Sequence, residues 1–133
     1  KDKLFNEKWN SMATLAENSA LISEDYILGD EIDLLSLQQI LTNISKNEGV
    51  IESYILNKKN NLIAHQNIEM LNKKDSVYRD LSSNKLILDR KKSGVYSYKK
   101  NYLVSAPIYR SNTREVIGTL EIIFSKKNIV HSI

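Results

Sequence analysis

The stretch YLVSAPIYRSNTREVIGTLEIIFS, residues 102–125, decides the fold class because apolar and polar residues alternate in two runs around one loop. Alternation with a period of two is typical of β-strands that bury one face. The runs 102–109 and 116–125 are therefore predicted to be strands, and residues 110–114 are predicted to form a hairpin loop. Strands joined by so short a loop pair in the antiparallel sense.

The two faces of this hairpin differ in polarity. One face of the second strand carries only apolar or small side chains, which are Gly118, Leu120, Ile122 and Phe124. The other face carries Ile117, Thr119, Glu121 and Ile123. We expect the apolar set to lie under a helix and the mixed set to face a second space suited to a small molecule. An open sheet face in contact with water explains the mixed set equally well.

Three more strands and two helices are predicted outward from this hairpin. β-branched and aromatic residues predict strands at 50–57, 62–66 and 95–99. Apolar residues recur at steps of three and four without Pro or Gly before Gly29, which predicts a long helix over residues 1–29. A second helix, capped by Asp30 or Asp33, ends before Gly49. The prediction is one α+β domain over residues 1–133, with a five-stranded antiparallel sheet and the long N-terminal helix packed on one face.

Composition excludes several classes of protein. The 133 residues include no cysteine, so disulfides, thiolate zinc sites and cysteine nucleophiles are excluded. The 19 basic and 16 acidic residues give a net charge of +3, too small and too scattered to indicate nucleic-acid binding. No metalloprotease, nucleophile-elbow, phosphate-loop or EF-hand spacing is present. The sequence therefore predicts no enzyme activity, no catalytic residues, no metal site and no cofactor.

Two segments resemble a known family. They are LGDEIDLLSLQQILTNISKNEGVIESYILNKKNNLIAH, residues 28–65, and the stretch 102–125 with its Pro107 and Gly118. Both are similar to extracytoplasmic Cache sensor domains of the PAS-like, single-Cache type. The resemblance covers most of the chain, from about Leu15 to Ser125. One departure is the first hairpin turn, where the family carries Asp-x-x-Gly and this chain carries asparagines, which tolerate the same left-handed backbone.

The resemblance implies the extracytoplasmic ligand-sensing domain of a transmembrane receptor, either a histidine kinase, a chemoreceptor or a nucleotide cyclase. In that context the first helix continues from one membrane span, and residues 126–133 begin a helix that leads to a second. Homodimerisation through the N-terminal helix is expected. The alternative is a PAS-like module that binds no ligand and serves dimerisation or signal transmission. An intracellular PAS domain that binds haem or flavin is a third interpretation.

Candidate ligand-binding residues lie on the mixed sheet face and on the irregular segment 67–92. They are Arg79, Tyr96, Tyr98, His65, Glu121, Ser105 and Tyr54. A guanidinium suits a carboxylate, the tyrosines offer hydroxyls and rings, and a carboxylate favours an amine. Each also has a purely structural explanation, such as a surface arginine or a histidine bonded to a loop. The expected ligand is a small polar metabolite that carries a carboxylate, or a zwitterion.

Overall fold

The computed structural model describes residues 2–72 and 91–127, and its elements follow the predicted order. The helices are α1 (Asp2–Ile27), α2 (Leu34–Ser45) and a 3-10 turn at Ile68–Asn72. The strands are β1 (Val50–Asn57), β2 (Leu62–His65), β3 (Gly94–Tyr98), β4 (Asn101–Tyr109) and β5 (Val116–Ser125). They form one antiparallel sheet in the order β2-β1-β5-β4-β3. The predicted PAS-like α+β fold class is confirmed, with α1 two residues shorter at its C-terminus than the predicted span.

One face of the sheet, the helix face, is covered by α1 and α2. Met12, Ala16 and Ala20 of α1 are buried against it, and the two alanines let the helix backbone approach the strands closely. The side chains beneath are Ile55, Val104, Ala106, Ile108, Leu120, Ile122 and Phe124. The expectation that Leu120, Ile122 and Phe124 lie under a helix is therefore confirmed.

Helix α2 begins at the predicted cap. The side chain of Asp33 accepts a hydrogen bond from the backbone N–H of Ser36 at 3.1 Å and from its hydroxyl at 2.8 Å. Such a cap satisfies one of the amides that the first helical turn leaves unpaired. The helix then buries Leu37, Leu41 and Ile44 in the same core as α1.

Two asparagines, Asn57 and Asn60, stabilise the hairpin turn between β1 and β2. Asn60 adopts a left-handed backbone with φ of 69°, a conformation that asparagine tolerates better than most residues. The side-chain oxygen of Asn57 accepts hydrogen bonds from the backbone N–H of Lys59 at 2.9 Å and of Asn61 at 3.0 Å. Asparagine thus supplies the left-handed residue that this turn requires.

A β-bulge in β5 corrects one face assignment. Ile108 pairs with Gly118 and Tyr109 pairs with Val116, which leaves Ile117 outside the ladder. The bulge turns the Ile117 side chain into the helix-face core, where it is 8% exposed. The expectation that Ile117 shares a face with Thr119 was wrong, because strict alternation fails where an extra residue is inserted.

The two ends of the sheet contact different parts of α1. At one end Trp9 packs on Tyr102 with ring centroids 6.0 Å apart, and the ammonium of Lys126 lies 4.9 Å from the centre of the same Tyr102 ring. At the other end Glu24 accepts hydrogen bonds from the backbone N–H and, at 2.7 Å, the hydroxyl of Ser111 in the β4–β5 loop.

Residues 126 and 127 continue into a helix as predicted, and residues 128–133 lie outside the described part of the chain. Among the helices that the structure describes, none combines the length and the apolar character needed to span a membrane.

Candidate functional site

Four of the predicted site residues stand side by side on the sheet face away from α1, here called the second face. Strand pairing places His65 opposite Tyr54, Tyr54 opposite Glu121, and Glu121 opposite Ser105. We call these four residues the polar row. Each is at most 3% exposed. The sequence left open whether this face meets water, and the burial of the row shows that these four positions do not.

Glu121 lies at the centre of the row. Its side chain is fully buried, and its Oε2 atom accepts a hydrogen bond from the hydroxyl of Ser105 at 3.2 Å. Removing a carboxylate from water is costly unless charged or hydrogen-bonding groups replace the water. Packing alone therefore does not account for glutamate in the middle of a central strand.

His65 is fixed at both ring nitrogens. The backbone N–H of Asn67 donates to Nδ1 at 2.9 Å, so the ring proton belongs on Nε2, which lies 2.6 Å from a carboxylate oxygen of Glu52. The ring stacks on Tyr54, with centroids 6.1 Å apart and planes 8° from parallel. His65 thus orients the rim of the row and has both of its polar atoms engaged.

The two predicted tyrosines of β3 lie at the opposite edge of the sheet. A side chain at Gly94 would meet the hydroxyl of Tyr96 at 2.7 Å, which shows that the Tyr96 ring lies over the glycine that pairs with Ser105. Tyr98 packs against a small apolar cluster of the second face, formed by Tyr54, Leu56, Leu103 and Ile123. Both tyrosines are half-buried, and their role toward a ligand stays a prediction.

The first candidate, Arg79, lies outside the described residues, as do residues 73–90 of the segment expected to cover this face. Within residues 2–72 and 91–127, no group of three histidine, aspartate or glutamate side chains is placed to hold a metal ion.

A second concave region, which we call the hairpin pocket, was missed by sequence reasoning. It is a cavity of about 260 Å³ at the end of the sheet where the β1–β2 and β4–β5 hairpins turn. Its described lining comprises Asn57, Lys58, Asn60, Lys91, Arg114, Val116, Gly118 and Thr119. Three of these carry positive charge, and none carries negative charge.

Two polar atoms in the hairpin pocket are buried without a hydrogen-bond partner among the described residues. They are Oγ1 of Thr119, which is 3% exposed, and Oδ1 of Asn60. The one indication of this pocket in the sequence was the assignment of Thr119 to the mixed face. Lys58, Lys91 and Arg114 come from three separate loops, so no spacing along the chain could have joined them.

Comparisons with solved structures find chains that are similar to this one. The chain is similar to the crystal structure of the A. aeolicus nlh2 GAF domain in an inactive state, with 19% sequence identity and a TM-score of 0.48. The alignment covers 90% of this chain and 88% of that domain. No family model and no curated protein matches the chain. The resemblance to Cache domains accordingly stays a prediction.

Proposed function

We propose that this domain senses a small polar metabolite for a membrane-bound signal transducer and lies on the extracytoplasmic side. The ligand would bind against the second face of the sheet. Its binding would be transmitted through α1 and through the helix that begins at Lys126. The domain would act as a homodimer through α1, and the whole protein would carry the output activity.

The burial of the polar row is the observation that supports this proposal most directly. A domain that needed only a stable core would place apolar residues at Ser105 and Glu121, as it does at the neighbouring helix-face positions of β4 and β5. A few polar groups held in fixed positions are the usual means by which proteins orient a small ligand. Glu121 in particular suits an amine, which favours a zwitterion over a simple acid.

The termini offer a direct route for a signal. Trp9 of α1, Tyr102 of β4 and Lys126 at the end of β5 contact one another in sequence at one end of the sheet. Tyr102 is two residues from Val104, which lies under α1, and it pairs with Phe124. A shift of β4 or β5 on ligand binding would therefore move both terminal helices together, because they share these ring contacts.

A thermal-shift screen tests the proposal. A compound that binds only the native protein raises the melting temperature once its concentration exceeds the dissociation constant. Amino acids, organic acids and amines should be compared, and we expect a zwitterion to give the largest shift. The variant Glu121→Gln keeps the size of the side chain and removes its charge, so it should abolish that shift.

Lys100→Gln is the matched control, because Lys100 is an exposed residue of the β3–β4 turn and lies away from the row. The proposal fails if no compound of these classes stabilises the protein. It also fails if Glu121→Gln and Lys100→Gln bind the best compound equally well.

A second candidate function is a dimerisation module that binds no ligand. It is favoured by the exposed apolar side chains of Leu21 (73%) and Ile22 (57%) near the C-terminal end of α1. On a helix surface such residues cost little singly but mark a contact when they cluster. A tight dimer in sedimentation that Leu21→Glu dissociates, together with no stabilising compound, would favour this function over sensing.

A further inference from the structure

We propose that the hairpin pocket is a binding site for a small oxyanion, a carboxylate or a phosphate, separate from the polar row. None of the described residues that line it belongs to the row. The inference does not depend on the proposed sensing function, because it rests on a different cavity and different side chains.

Charge is the first argument. Lys58, Lys91 and Arg114 line the pocket, and two adjoining cavities of about 440 and 370 Å³ share these residues. Those cavities add further cations, which are Lys59, Lys92 and Arg110. One of these cavities is also lined by Glu115, so the described lining carries six basic side chains and one acidic one. In a chain with a net charge of only +3 this makes a local positive potential that attracts anions.

Two acidic side chains that the structure describes at this end, Glu115 and Glu24, already accept hydrogen bonds. Glu115 accepts a hydrogen bond from the guanidinium of Arg110 at 2.8 Å. Glu24 accepts both hydrogen bonds from Ser111. The positive charge of Lys58 and Arg114 is therefore not offset by either of these acids.

The buried polar atoms are the second, independent argument. Burying a hydroxyl without a hydrogen-bond partner is unfavourable, and native structures seldom do so without a reason. Oγ1 of Thr119 is in this state and Thr119 lines the cavity, so a bound oxyanion would accept a hydrogen bond from this hydroxyl. Oδ1 of Asn60 accepts in turn from a hydroxyl or amine on the same ligand, or its amide group donates after rotation by 180°.

Shape gives the third argument. At about 260 Å³ the cavity lies at the lower end of the range for ligand sites, which suits a small acid or a phosphate group. Gly118 forms part of its floor, where a side chain would lie 2.6 Å from the carbonyl oxygen of Leu56. The two strands therefore approach each other closely at this position, and glycine adds no side chain to the cavity.

Titration calorimetry with inorganic phosphate and with acetate tests the site. Ionic strength must be held constant with chloride, because exposed positive charges also attract anions weakly and non-specifically. We expect at least one of the two probes to bind. Arg114→Gln should weaken that binding by about tenfold, since it removes a positive charge, and Thr119→Val by about threefold, since it removes a hydroxyl donor. In NMR spectra the amide signals of Asn60 and Gly118 should shift with the same probe.

Lys100→Gln is again the matched control, because it removes one exposed cation from the other end of the sheet. If only phosphate binds, the ligand carries a phosphate group. If only acetate binds, the ligand carries a carboxylate. The inference is overturned if neither probe binds above the chloride background, or if Lys100→Gln weakens binding as much as Arg114→Gln does.

The test also separates this inference from the proposed function. If Ser105→Ala abolishes anion binding and Arg114→Gln leaves it unchanged, the anion lies at the polar row, so the hairpin site is wrong and the sensing proposal stands. Circular-dichroism melts of each variant confirm that it is folded before its affinity is compared.

Discussion

The helix face and the second face of the sheet are built from the same five strands and bury different chemistry. Beneath α1 and α2 the buried strand side chains are apolar, as Leu120 and Ile122 of β5 are, apart from Ser53, whose hydroxyl donates to the Leu41 carbonyl of α2. On the second face the intervening residue is Glu121, held by Ser105. Adjacent positions of one strand thus bury apolar side chains on one side and a carboxyl group on the other.

Because the two faces bury different side chains, different interactions stabilise them. Apolar burial stabilises a fold without requiring precise partners, whereas a buried carboxylate stabilises it only through the groups around it. The helix face should therefore tolerate changes of shape but not of charge. The second face should respond to the loss of single hydrogen bonds, and the predictions below test this contrast.

The largest effect is expected from Leu120→Asp. It places an unpaired charge in the helix-face core, where Leu120 is fully buried, and should prevent folding. Thr119→Asp, the neighbouring change on the second face, should leave the protein folded because Lys58 and Arg114 line the cavity it enters. Far-UV circular dichroism and urea unfolding compare the two. Equal destabilisation would show that the faces do not differ in this way.

A smaller effect is expected from Gly118→Ala. The new Cβ atom would lie 2.6 Å from the carbonyl oxygen of Leu56, so β1 and β5 must separate. Strain of this kind costs about 1–3 kcal/mol. Denaturant unfolding gives the free energy of unfolding. Weaker pairing of β1 with β5 should appear as faster amide exchange at Leu56. An unfolding free energy equal to that of the wild type would contradict the close contact.

The sequence predicted the order of elements well because that order follows from local patterns. Strand β5 was predicted with the bounds Val116–Ser125 that the structure has. Its alternation identified the face that lies beneath the helices. The cap of α2 at Asp33 was one of two residues proposed for it. Helix periodicity, strand alternation and capping all depend on neighbours close in the chain, so a single sequence contains them.

The sequence could not predict features that depend on contacts between distant segments. The bulge at Ile117 shifts one residue to the other face, and nothing in the alternating run marks it. Lys58 and Arg114 meet only because two hairpins turn at the same end of the sheet. The polar row was named residue by residue from composition and face. Its alignment across four strands depended on the strand register, which the sequence does not fix.

An intermediate effect is expected from Ser105→Ala. The change removes the hydroxyl that donates to Glu121 at 3.2 Å and leaves the surrounding packing nearly unaltered. Leaving a buried acceptor without its donor costs about 1–3 kcal/mol. Urea unfolding should show a loss within that range, and the double variant with Glu121→Gln should show a smaller loss than the sum of the two single variants. Strict additivity would mean that the two side chains do not interact.

The smallest effect is expected from Glu52→Gln at the rim of the polar row. The amide oxygen of glutamine still accepts the hydrogen bond from Nε2 of His65, so only the charge of a partly exposed group is lost. Such a loss costs less than about 1 kcal/mol in unfolding free energy. His65→Ala should cost more, because it also removes the stacking on Tyr54 and the acceptor for the Asn67 amide.

Nitrogen NMR shifts of the His65 ring check the geometry behind this prediction. The amide of Asn67 donates to Nδ1, so the proton should be found on Nε2 in the wild type and in Glu52→Gln alike. A proton on Nδ1 would contradict that hydrogen bond, and His65 would then not be held in the orientation that stacks it on Tyr54. The rim of the row would then be adjustable, and only Glu121 and Ser105 would remain as its fixed part, because their hydrogen bond does not involve the histidine.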